Sequence, residues 1–141
     1  MLYHVPDPDV AVRELERVVK PGGVVLATTN GRGHMGELNE AAAEVWDVVD
    51  EDLYEVFGIE SGEAQLRRCF QEVAWHAYDN DLLVTSPADA IAYGLSYPPG
   101  ETATPAERAA FTEAINRRFI DGVFRIRICT GAFVCRAPKV V

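Results

Sequence analysis

The sequence is short of several things whose absence already excludes function classes. It has three cysteines, Cys69, Cys129 and Cys135. An odd number with no leader argues against a disulfide framework and for reduced thiols in the core or at its edge. No C-x2-C or H-E-x-x-H spacing occurs, so no metal site is expected. No apolar run approaches the roughly 20 residues that span a bilayer. No charged-then-apolar leader opens the chain either, so a cytoplasmic protein with no membrane partner is expected. Cationic side chains are scarce: 13 Lys and Arg stand against 22 Asp and Glu, a formal charge of −9. Such a surface repels phosphate backbones, and nucleic acid is not expected as a partner. Internal repeats and low-complexity segments are absent too.

What is present is ordinary for a globular domain: 48% hydrophobic and 25% charged residues in a chain of 141. That length suits one domain and buries about two-thirds of the surface its unfolded chain exposes. The first five residues, Met1 to Val5, are apolar and aromatic and read as the last turn of a buried strand. Asp7 then caps a helix from Pro8 to about Val19, with proline at the first position, where its missing N–H costs nothing. Ala11, Leu15, Val18 and Val19 share one face. Lys20-Pro21-Gly22-Gly23 stops it.

Val24 to Thr29 is apolar and β-branched on both faces, which suits a parallel strand covered by helices on either side. Asn30 to Gly33 is a flexible loop at its carboxyl end, the edge where open α/β sheets hold ligands. A second helix is expected from Gly36 to Asp50. The stretch between Gly33 and Leu66 holds ten acidic residues and no Lys or Arg. It is a docking face for a cationic partner or simply a solvated face. Leu53 to Ile59 is an ambiguous connector, followed by a short helix capped by Ser61 and running from Gly62 to Phe70. Val73 to Tyr78 is a strand, Asp79-Asn80-Asp81 a turn, and Leu82 to Val84 a second extended piece. Ser86 caps a helix to about Leu95. Thr104-Pro105-Ala106-Glu107 is a capping box opening a helix to about Ile120, ended by Asp121-Gly122. Val123 to Ile128 and Ala132 to Cys135 are two strands around Thr130-Gly131.

The opening run LYHVPDPDVAVRELERVVKPGGVVLATTNG closely resembles the class I S-adenosylmethionine-dependent methyltransferases of the small-molecule type. The match is a strand end with an aromatic and a histidine, a Pro-Asp turn, and the helix Glu14-Leu15-Glu16-Arg17-Val18-Val19-Lys20-Pro21-Gly22-Gly23 before a buried strand. SGEAQLRRCF, VAWHAYDNDLLVTSPADAIAYGLS and GVFRIRICTGAFVCR resemble the family's late elements more weakly. The resemblance implies an α/β fold, the C-terminal part of a Rossmann-like methyltransferase sheet. Val24–Thr29 would be parallel in character, Val73–Tyr78 and Ala132–Arg136 would pair antiparallel at the far edge, and helices would cover both faces. The chain, 1–141, would be a single partial domain with 36–72 and 86–121 as helical insertions.

The family's Gly-rich cofactor turn and its ribose-binding carboxylate have no counterpart here. Gly31-Arg32-Gly33 follows the wrong strand. The resemblance therefore implies the carboxyl half of such an enzyme, with Met1 inside the family's fourth strand. S-adenosylmethionine is the cofactor of the full-length family and is not expected to bind this chain alone. Leu2, Tyr3 and His4 would lie beside the cofactor. His4 is the candidate base, since imidazole suits proton removal near neutral pH; it is alternatively a packing residue, because methyl transfer needs mainly alignment. Asn30, Gly31 and His34 would face the substrate, or serve as ordinary loop residues. Tyr93, on an inserted helix, would cap a pocket or belong to the core or surface. His76 reads as structural.

Two functions remain open: transfer of a methyl group to a small-molecule acceptor, or a non-catalytic remnant or interaction module that binds no cofactor. A homo-oligomer through an exposed sheet edge is expected in either case.

Overall fold

The computed structural model describes residues 2–46 and 52–137. After a 3-10 turn at Leu2–His4 the order is α1 (Pro8–Val18), β1 (Val24–Asn30), α2 (Gly36–Trp46), α3 (Asp52–Phe57), α4 (Ile59–Leu66), β2 (Glu72–Val84), α5 (Pro87–Gly94), a 3-10 turn at Gly100–Thr102, α6 (Pro105–Asn116) and β3 (Phe124–Arg136). The strands form one sheet in the order β1-β3-β2. The chain divides into two compact units: Met1–His34, Asp50–Asp79 and Cys129–Val141 in the first, Met35–Val49 and Asn80–Ile128 in the second.

The first unit begins with a cap. The Asp7 carboxylate accepts the Val10 N–H at 3.1 Å, and Pro8 opens α1. This satisfies one of the donors that a helix leaves unpaired at its start. Gly22, at φ 72°, turns the chain into β1. There Val24 lies opposite Arg136, and the antiparallel register continues to Asn30 opposite Thr130. Val12, Phe57, Leu66, Phe70, Phe133 and Cys135 form the core. The ring of Phe133 lies 4.7 Å from Trp75 and 6.4 Å from Phe57, the latter edge-on. Tilted and edge-to-face arrangements suit the ring quadrupoles.

Several expectations are corrected. The hydrogen-bonded partner of β1 among the described residues is the antiparallel β3, not a parallel strand. Burial alternates along β1: Ala27 and Thr29 face the core, whereas Val24 is 44% and Leu26 67% exposed. An apolar run thus did not mean cover on both faces among these residues. Ala132–Arg136 nonetheless lies in the same sheet as Val24–Thr29, directly beside it.

The expected turn at Asp79-Asn80-Asp81 is continuous strand, because the ladder with β3 overrides local turn preference. Ion pairs join Glu72 to Arg136 and Asp81 to Arg125, so β2 and β3 run in opposite directions. Thr130-Gly131 is not a turn either. Gly131 sits so close to the His76 carbonyl and the Trp75 ring that no Cβ fits there. The connector 53–59 is largely helical. Ser61 is not the N-cap of α4 but lies inside it, accepting the Gly58 N–H at 2.9 Å and donating to the Tyr54 carbonyl at 2.9 Å.

In the second unit α2, α5, α6 and the start of β3 enclose Leu38, Ala90, Phe111, Ile115, Phe124 and Ile126. Fully burying a large apolar side chain of this kind contributes roughly 1.5–3 kcal/mol. The capping box of α6 is formed: the Thr104 N–H donates to Glu107 Oε2 at 2.7 Å, and Thr104 Oγ1 accepts the Glu107 N–H at 3.3 Å. α6 ends at Asn116 rather than near Ile120. Asp121 and Gly122, at φ 51° and 79°, instead make a tight turn that closes Ile120 on Val123 with reciprocal 3.0 Å bonds. The expected end of the second helix at Asp50 lies outside the described residues; α2 is described to Trp46. Among the described residues no helix is long and apolar enough to cross a membrane.

Candidate functional site

The expected site residues fall into the two units. In the first, Leu2 and Tyr3 are half-buried and pack against the core. His4 is exposed, its ring 4.5 Å from that of Tyr3. These residues form a 3-10 turn, not a strand end. Pro6, which has no N–H, and Pro8 follow too closely for a ladder to continue.

Asn30 closes β1 opposite Thr130. Gly31 is buried and donates its N–H to the Cys129 carbonyl at 3.0 Å; a Cβ there would stand 2.7 Å from Ile59 Cδ1, so that side chain would have to move aside. The next amide, that of Arg32, donates to Glu60 Oε1 at 3.0 Å, and the Arg32 guanidinium pairs with Glu55. The His34 N–H donates to the Gly31 carbonyl at 3.1 Å. The turn thus spends its Gly31, Arg32 and His34 amides on the chain itself, whereas a phosphate or carboxylate cradle points them at a ligand.

His34 is half-buried, and burial holds its imidazole below the ordinary value. Its Nδ1 accepts the Cys129 N–H at 3.3 Å. A neutral ring with Nδ1 as acceptor carries its proton on Nε2, which makes that nitrogen a donor rather than a base. Burial also pushes the Cys69 and Cys135 thiols up, so they stay protonated and poorly nucleophilic. Among the described residues no group of His, Cys, Asp or Glu is placed to hold a metal ion.

Three of the ten acidic residues in the acidic stretch have counter-charges within the chain. Glu44 pairs with Arg117 and Arg118, Glu55 with Arg32, and Glu63 with Arg67. Glu37 accepts the Arg127 N–H at 2.8 Å.

Tyr93 belongs to the second unit. There it lines a cavity of about 540 Å³ together with Asp89 of α5, Leu82 and Leu83 of β2, and Ile126 and Ile128 of β3. The Tyr93 hydroxyl lies 3.7 Å from the Met35 sulfur, and its ring lies 5.6 Å from that of Tyr97. Sequence reasoning named Tyr93 but missed the strand residues.

A methyl donor would need a cradle for its amino-acid end and a carboxylate for its ribose. Leu2 and Tyr3 pack on the core, and the Gly31 and Arg32 amides are already bonded. The first unit's described residues do not by themselves fit S-adenosylmethionine.

Residues 1–27 match the family model described as a methyltransferase domain, which supports the resemblance to class I S-adenosylmethionine-dependent methyltransferases over that segment. No curated protein matches the chain.

Proposed function

We propose that this chain forms the carboxyl part of an S-adenosylmethionine-dependent methyltransferase acting on a small-molecule acceptor. The observation that carries this reading is the methyltransferase-domain match over residues 1–27. The placement of β3 beside β1 in one sheet agrees with it, since the resemblance requires Ala132–Arg136 to share the sheet of Val24–Thr29.

S-adenosylmethionine supplies an electrophilic methyl group on a sulfonium. In this proposal Leu2, Tyr3 and His4 give one wall of its site, with the exposed His4 imidazole available to accept a proton. Asn30, Gly31 and His34 bound the substrate side of the first unit, Gly31 by fixing the loop and His34 as a donor through Nε2. Within the second unit, Tyr93 lines a cavity of its own that would hold an acceptor. The net charge of −9 favours a small acceptor over a nucleic acid and accords with a cytoplasmic enzyme. The 141 residues alone bind the cofactor weakly, because the missing polar anchors usually account for several kcal/mol.

The second reading is a non-catalytic interaction module, favoured by the inward-spent amides at Gly31 and Arg32. Reading the gene upstream of residue 1 separates the two. An in-frame strand with a Gly-rich turn, followed by a carboxylate after the next strand, is expected. A stop codon or unrelated sequence there overturns the enzyme reading.

A further inference from the structure

We propose that the cavity of the second unit binds an apolar small molecule carrying one protonated amine. The volume, about 540 Å³, lies within the range of small-molecule sites. Its strand walls are hydrocarbon: Leu82, Leu83, Ile126 and Ile128. Leu82 is 43% and Leu83 53% exposed, so two leucines meet solvent at a concave surface rather than on a flat one. Water against such a surface is displaced favourably by an apolar ligand.

The polar side of the cavity is supplied by α5. Asp89 is the one charged residue in its lining, and no cation lines it. The Asp89 backbone N–H is already held by Ser86 Oγ at 3.3 Å, which anchors the residue in the first turn of the helix. Among the described residues no Lys, Arg or His makes an ion pair with Asp89. Tyr93 adds a hydroxyl whose neighbour is a thioether, a weak acceptor. A largely apolar box with one carboxylate and the neutral hydroxyls of Thr85, Ser86 and Tyr93 is complementary to an ammonium group on a hydrocarbon body, and its single charge opposes a carboxylate on the same body.

Calling this ligand the methyl acceptor rests on the function proposed above; the binding itself does not, and its test needs no cofactor. Octylamine and octanoate, which share one hydrocarbon body, are titrated into the full chain by calorimetry. Octylamine is expected to bind about two- to fivefold more tightly, the ratio an exposed charge pair gives. D89N is expected to remove that preference, while E101Q, which deletes a negative charge outside the cavity, keeps it. L83K, at an exposed wall position, is expected to abolish octylamine binding with the thermal midpoint nearly unchanged. Equal binding of the two probes, a preference that survives D89N, or affinity that survives L83K overturns the proposal. Octylamine binding with this pattern, in a gene product that transfers no methyl group, would overturn the function proposed above and leave the site standing.

Discussion

Gly94 of α5 lies against the ring of Phe111 of α6 so closely that a methyl group on its Cα would overlap the ring. Phe111 is fully buried and cannot yield. Gly94→Ala is therefore expected to destabilise the protein despite alanine's better helix propensity, by about 1–3 kcal/mol, the usual cost of overpacking. Thermal unfolding should show a midpoint several degrees lower. Gly36, at the start of α2, has nothing within 4 Å of a built Cβ. Gly36→Ala should be neutral or stabilising by up to about 1 kcal/mol.

The Asp7 cap yields a second expectation. Asp7→Ala strands the Val10 N–H and should cost about 1 kcal/mol in denaturant unfolding, whereas Asp7→Asn retains the acceptor and most of the stability. Equal losses in the two variants would show that charge rather than the hydrogen bond matters at this position.

His34 gives the stability a pH dependence of definite sign. Burial lowers its folded value below the ordinary 6.5, so the unfolded chain binds the proton more readily. Its contribution is intact above the unfolded value, falls as pH drops toward the folded value, and levels off below it. His34→Asn should flatten that limb below about pH 6.5 relative to the parent chain, as measured by urea unfolding at each pH. An identical pH profile in the two proteins would contradict the burial argument.

What could be read from the sequence follows the range of the forces involved. The caps at Asp7, Ser86 and Thr104 were legible because capping is settled within four residues. Thr130-Gly131 misled because its glycine answers the Trp75 ring, more than fifty positions away, rather than a local turn. Asp79-Asn80-Asp81 misled for the same reason: the partner strand decides the backbone there. At the candidate site Tyr93 was legible from its helix, but the wall opposite comes from Ile126 and Ile128, whose approach to α5 no local pattern records. His4 and His34 were legible as residue types. The amide of Cys129 that fixes the His34 ring was not.

The outward side of β1 bears on association. Val24 and Leu26 are exposed, and β1 is an edge strand among the described residues. Self-association through this edge is expected to rise with concentration and with salt, since about 0.15 M salt screens like charge beyond about 8 Å. Leu26→Lys should shift the mass measured by light scattering toward the monomer. A strictly monomeric parent chain at high micromolar concentration would show that this edge is not an interface.

The methyltransferase reading meets its most direct test in equilibrium binding of radiolabelled S-adenosylmethionine, measured on the complete product of the gene beside the 141 residues alone. Saturable binding by the complete product is expected, with affinity for the 141 residues weaker by on the order of a hundredfold or more, as several kcal/mol of missing polar contacts imply. Micromolar binding by the 141 residues would contradict the expectation that they lack the cofactor's polar anchors, and no binding by the complete product would contradict the function itself.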